Sequence, residues 1–321
     1  MGPGVHKLRG GCVESPHPAV SSGFSVSVVV RAKDKQATIE RTLRALRNQT
    51  VPTQIIVVDS GSTDRTVEIA RSFDAEVIEI PASMFSYGRA LNIGALQATG
   101  DIVFALSAHS APQTDRWIEW ALEAYREPDV AMTVGHTLGP VGTQVTTATH
   151  VYAADLDLAH NVTWGMSNHA SSWRRDVWER FPFDEDLGAS EDKEFMWRVL
   201  GAGYAMVVDP RLLVDVQHRW AEGAKALYRR TFKEYAALAE LVDFDPPSLR
   251  VIVQKWWTKL YASSRPKWQR RLSPKRNAEL AGEFLGSRAG ARKRGAHTLS
   301  RATWIQQPAA AASTEGRGSK Q

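Results

Sequence analysis

Between residues 26 and 134 the chain alternates short apolar, β-branched runs with stretches whose apolar residues recur at helical spacing. Residues 26–30 predict a strand, and 37–48 a helix with Ile39, Leu43 and Leu46 on one face. Strands at 54–58, 76–80, 101–106 and 130–134 follow, separated by helices at 65–73, 87–98 and 113–125. The strands are apolar throughout rather than alternately polar, so they are buried on both faces and need helices on both sides. Strands joined by helices of this length form right-handed βαβ crossovers and a parallel sheet.

In such sheets ligands bind outside the carboxyl ends of the strands, and several of these runs end in chemistry-bearing residues. The first ends in Arg31-Ala32-Lys33-Asp34-Lys35, where basic side chains and backbone N–H groups can face a nucleotide. The second ends in Asp59-Ser60-Gly61-Ser62-Thr63-Asp64, a turn that otherwise reads as plain helix capping. Before the fourth strand lies Phe85-Ser86-Tyr87-Gly88-Arg89-Ala90-Leu91-Asn92, with Arg89 and Asn92 three apart and so on one helix face. A cation and an amide at a helix start suit a diphosphate. The fourth strand runs into Ser107-Ala108-His109 at the same edge.

After residue 135 the rhythm breaks. A helix near 147–158, extended chain over 162–173, a helix over 190–200, short strands at 204–208 and 212–216, and long helices at 221–242 and 248–262 are expected. The acidic loop 184–192 runs into the 190–200 helix, whose N-terminus favours ionised carboxylates. An ionised carboxylate can accept a proton. Glu191 and Asp192 lie about 100° apart around the helix, so one of them faces a given pocket. His218 follows the last short strand.

The 321 residues are 43% hydrophobic and 23% charged, ordinary for a globular chain. A single cysteine, Cys12, excludes a disulfide framework and fits a reducing compartment. Neither a signal-peptide core in the Gly/Pro/Ser/His-containing leader nor an apolar run of about 18 residues is found, so a cytoplasmic chain without a spanning helix is expected. Twelve Lys/Arg against two Glu between residues 251 and 300 account for more than the whole net charge of +5. The body is therefore net acidic and is not a nucleic-acid binder. Over 251–272 basic residues interleave with Trp256, Trp257, Tyr261 and Trp268, a pattern suited to an anionic membrane surface. The bland alternative is a helix packed through its tryptophans.

Taken in order, these clusters resemble the family 2 inverting glycosyltransferases of the GT-A type, in particular rhamnosyltransferase-like bacterial members that build cell-envelope polysaccharide. The resemblance spans roughly residues 25–239. It implies a mostly parallel sheet flanked by helices with a C-terminal helical extension. The implied division is a flexible leader (1–23), a catalytic domain (24–220), the helical extension (221–286) and a disordered basic tail (287–321). The implied reaction moves a hexosyl or deoxyhexosyl group from a nucleotide-diphosphate donor to a hydroxyl of a saccharide or lipid-linked acceptor, with inversion. Arg31, Lys33, Asp59, Ser60, Arg89, Asn92, Ser107 and His109 are the implied nucleotide-sugar contacts. Glu191 and Asp192 match the acceptor-activating pair, with Asp192 at the base position, and His218 matches a histidine that completes a metal site.

One departure stands out. Where the family's fourth strand ends in an Asp-x-Asp that holds Mn²⁺ or Mg²⁺ on the diphosphate, this chain has Ser107-Ala108-His109. Either an ion is held by the diphosphate with His109 and His218, or protonated His109 offsets the charge without one. The lost carboxylates also fit a rival, a catalytically inactive GT-A fold that binds a sugar or a partner. A different nucleotide-dependent enzyme, a dehydrogenase or a nucleotidyltransferase, is a further rival; the absence of G-x-G-x-x-G after the first strand argues against the dehydrogenase.

Overall fold

The computed structural model of the protein describes residues 23–137, 147–156, 161–216, 223–258 and 273–295. β1 (Val26–Ala32), β2 (Gln54–Asp59), β3 (Glu76–Glu79) and β4 (Ile102–Ser107) are joined by α1 (Ile39–Arg47), α2 (Thr66–Ser72) and α3 (Tyr87–Gln97). They pair in parallel in the order β3-β2-β1-β4. Successive β1 residues feed opposite cores. Val28 and Val30 pack with Ile39, Leu43 and Trp117 on one face, and Val29 packs with Leu91 and Phe195 on the other. This is why the run is apolar without alternation.

Beyond β4 the sheet becomes mixed. β5 (Ser110–Pro112), α4 (Trp117–Ala124), β6 (Val130–Thr137), β7 (Thr149–Val151), β8 (Ser171–Arg174), α5 (Arg175–Arg180), α6 (Glu191–Gly201) and β9 (Ala205–Val216) follow. β8 lies antiparallel between β4 and β6, and β6 is parallel to β9. β5 and β7 are both antiparallel to β9. The mostly parallel description therefore holds for the first four strands, and the complete sheet is mixed. Two expectations are corrected here. The helix near 147–158 is instead β7 and a short 3-10 turn, because its Thr-His-Val run finds a strand partner in β9. The two short strands at 204–216 are one strand running through Pro210, and residues 110–112 form a strand before α4.

The C-terminal part contains α7 (Ala224–Leu241), α8 (Leu249–Thr258) and α9 (Pro274–Ala291). Disorder from residue 287 is corrected by α9, which continues to Ala291 with Ser287 and Gly290 buried. A Cβ on Gly286 would lie 2.5 Å from the Phe232 carbonyl oxygen, one on Gly290 2.0 Å from the Ala236 carbonyl oxygen, and one on Gly282 2.9 Å from Thr231 Cβ. The Gly/Ala composition that reads as disorder is a close-packed helix interface. Among the described residues no helix is long and apolar enough to cross a membrane. The leader up to residue 22, His218, and residues 259–272 lie outside the described residues.

Candidate active site

The strand order turns back between β1 and β4, so the loops after β1, β2 and β4 open onto one crevice. In register, Arg31 stands opposite Val58 and Ser107, and Ala32 opposite Asp59. The first two loops are laced into one body. Asp34 N–H donates to Ser62 Oγ at 2.8 Å, Thr63 N–H to Asp34 Oδ1 at 2.9 Å, and Lys35 N–H to Thr66 Oγ1 at 2.7 Å. Asp59 is buried. Its carboxylate accepts the N–H groups of Gly61 (3.0 Å) and Ser62 (2.8 Å) and the Ser62 hydroxyl, so it shapes the turn. Ser60 ties the turn to β1 through the Ala32 carbonyl. Lys33 is exposed on this rim.

Arg89 and Asn92 share a face of α3 as their spacing requires, and that face grips the acidic loop. Arg89 Nε lies 2.7 Å from Glu185 Oε2. Asn92 Nδ2 donates to the Phe183 carbonyl (2.9 Å) and Glu185 Oε1 (3.0 Å), while its Oδ1 accepts Trp178 Nε1–H (2.9 Å) and Phe183 N–H (3.0 Å). Asn92 is buried, and its bonds tie α3 to the loop that leads to α6. Asn92 and Arg89 hold the Glu185 carboxyl below the usual carboxylate range. Gly88 is required here because a Cβ would collide with the Asp184 carbonyl.

Glu191 opens α6 and is buried; Asp192 follows it, partly exposed. Glu191 Oε1 receives Arg31 Nη1 at 3.2 Å and Asn168 Nδ2 at 2.8 Å. Burial and the adjacent Asp192 charge push the Glu191 carboxyl up to about 6, against the opposing pull of Arg31. Asp192 Oδ1 accepts the Lys193 N–H at 2.8 Å, and Lys193 Nζ lies 3.6 Å from Asp192 Oδ2 while donating to the Met166 carbonyl. A carboxylate so placed at a helix start, oriented and partly open, can take a proton.

At the end of β4, Ser107 is buried and the His109 ring packs edge-on to His169, with centroids 5.5 Å apart. His109 supplies an imidazole where two carboxylates would be needed for Mg²⁺. Among the described residues no group of three or more His, Cys, Asp or Glu can hold a metal ion.

Asn168, His169, Tyr87 and Lys193 are the contributors that sequence reasoning missed. Residues 161–170 carry no periodicity, and their contact with α6 and β4 is a product of the fold. Tyr87, whose ring lies 5.1 Å from the Arg31 guanidinium carbon, stood inside the recognised segment without a role. Lys193 adjoined the acid pair and reads from sequence as solvated surface.

Residues 27–171 match the family model described as glycosyl transferase family 2. The pre-mycofactocin glycosyltransferase of Mycobacterium tuberculosis is 28% identical over 222 residues, covering 63% of this chain and 45% of that protein. The O-antigen chain rhamnosyltransferase WbaN of Salmonella anatum is 25% identical over 197 residues, covering 57% of this chain and 61% of that one. The matches thus span about half to three fifths of these relatives' lengths. Among solved structures, the mannosyltransferase PcManGT of Pyrobaculum calidifontis superposes with a TM-score of 0.53 at 19% identity, covering 92% of this chain and 76% of that one. S. aureus TarS 1-349 gives 0.52 at 15% identity, covering 79% and 71%. These likenesses establish the GT-A fold. The likeness to glycosyl transferase family 2 runs over residues 27–171, from β1 to the start of β8.

Proposed function

We propose that this protein transfers a sugar from a nucleotide-diphosphate donor to a hydroxyl of a saccharide or lipid-linked acceptor, with inversion at the anomeric carbon. The observation that carries the reading is the acid pair at the start of α6, held against the crevice between β1 and β4 by a side chain from the end of β1. Asp192 is the general base: it takes the acceptor proton as the new glycosidic bond forms and the donor's nucleoside diphosphate leaves with the electrons of the old one. Lys33, Ser107 and His109, with the loop shaped by Asp59 and Ser60, line the donor side. The glycosyltransferase names of the relatives support the class of reaction, and the PcManGT structure was solved with GDP-Man and Mn²⁺. No step here is routed through a metal.

The acceptor side extends toward a membrane in this proposal. Leu249, Val253 and Trp257 repeat every four residues along α8 and are all exposed. Residues 249–277 carry nine Lys/Arg and no acid. An exposed apolar stripe in so basic a segment fits the anionic inner face of a cell membrane, where a lipid-linked acceptor would be met. The chain should co-sediment with vesicles containing anionic lipid, release in high salt, and ignore neutral vesicles. Binding to neither kind at low salt removes the membrane part.

The replaced Asp-x-Asp favours a second reading, a GT-A fold that binds a sugar nucleotide without turning it over. Incubation with UDP-, GDP- and dTDP-linked sugars separates the two. Acceptor-independent donor hydrolysis that Asp192→Asn abolishes supports the transferase; tight binding without hydrolysis or transfer supports the binding protein.

A further inference from the structure

We infer that Arg31 and Asn168 are positioning residues that clamp Glu191, and through it the start of α6 that carries Asp192, rather than ligands of the donor. The inference takes its meaning from the transferase reading and its content from geometry. Arg31 leaves the last turn of β1 at the rim where a nucleotide would sit, yet its guanidinium reaches Glu191, 160 positions away, at 3.2 Å. Asn168 meets the same carboxylate oxygen from the opposite chain segment at 2.8 Å. The Tyr87 ring lies over the guanidinium and fixes its plane. A buried carboxylate left alone would take up a proton, because burial penalises charge; a cation and an amide donor on one oxygen oppose that.

The backbone beside the clamp is strained. Ser190 adopts φ of 66° immediately before Glu191. A non-glycine residue in that region persists where its surroundings over-determine it. The charged groups that act on Glu191 are Arg31 from β1 and Asp192 and Lys193 from its own helix. Asp192 is oriented by the same helix start, through the Lys193 N–H. The path therefore runs from β1 through Arg31 and Glu191 to Asp192.

The test is the infrared signal of protonated carboxyl in the full-length chain as pH falls, assigned to Glu191 by its loss in Glu191→Gln. In Arg31→Gln the midpoint should move up by about one pH unit or more. In Arg31→Lys, which keeps the charge without the fork, it should return most of the way, and in Asn168→Ala it should rise by less. UDP, GDP and dTDP binding by calorimetry should change by less than about twofold in Arg31→Gln, since removal of a positioning residue lowers turnover rather than affinity. A midpoint unmoved in both Arg31→Gln and Asn168→Ala, or a loss of nucleotide affinity of about tenfold in Arg31→Gln, overturns the clamp. If wild type binds none of the three nucleotides while the midpoint moves as stated, the transferase reading falls and the clamp stands.

Discussion

The two sides of the crevice are built differently. On the donor side the β1 and β2 loops are stitched by many short bonds, mostly backbone N–H groups to Asp34, Asp59, Ser62, Asp64 and Thr66, within about one βαβ unit. On the acid side the loop before α6 hangs on a few side chains from distant segments: Asn92 on Phe183 and Glu185, Arg89 on Glu185, and Arg31 and Asn168 on Glu191. The first design spreads its load, so single side chains are expendable. The second concentrates it, so each side chain carries position as well as stability.

That contrast is sharpest at the acids. Asp192→Asn should lower turnover by roughly 10²-fold or more, the usual size of a general-base contribution, while donor affinity by calorimetry stays near wild type. Near-normal turnover would move the base elsewhere. The next effect separates the two sides by stability. Asn92→Ala strands the buried Trp178 Nε1–H and Phe183 N–H and should cost on the order of 2–4 kcal/mol in denaturant unfolding. Ser62→Ala on the donor side should cost less than about 1 kcal/mol. Equal costs would erase the distinction.

A smaller effect is read in pH. The Glu191 carboxyl has its ordinary value near 4.5 when unfolded and about 6 when folded. Between those values the native state holds a proton that the unfolded state has released, so stability falls as pH rises through the window. Glu191→Gln should remove that slope. Its stability relative to wild type should climb by on the order of 1–2 kcal/mol between pH 4.5 and 7, whatever constant offset the lost ion pair adds. Parallel stability curves would contradict it. The smallest effect concerns metal: with imidazole in place of the strand-end carboxylates, EDTA should lower turnover by less than about twofold. A much larger loss restored by Mg²⁺ would mean that oxygen ligands outside the described residues supply a hard-ion site.

The β2 strand, its turn and α2 were legible in sequence because each of these parts is local. An apolar run at 54–58 ends in an acid, a Ser/Gly/Thr turn follows, and the helix begins within a few residues. The start of α6 at Glu191 was legible for the same reason, although Ser190 makes no side-chain cap there. Its supports were not. Asn92 is on the expected face, but only the folded chain reveals that this face turns to Glu185. The Arg31–Glu191 pair joins residues 160 apart, and the Asn168 loop has no pattern to read. β7 and the end of α9 were misread because pairing with β9 and packing on α7, rather than local propensity, decide them.

The central claim is that Asp192, held at the start of α6, activates an acceptor hydroxyl for direct displacement at the sugar. Proton NMR of the anomeric position during turnover of the sugar nucleotide that the chain accepts tests it most directly. A single displacement driven by a base predicts a first-formed product whose anomeric configuration is opposite to the donor's, with no such product from Asp192→Asn. A product that keeps the donor's configuration would contradict the account.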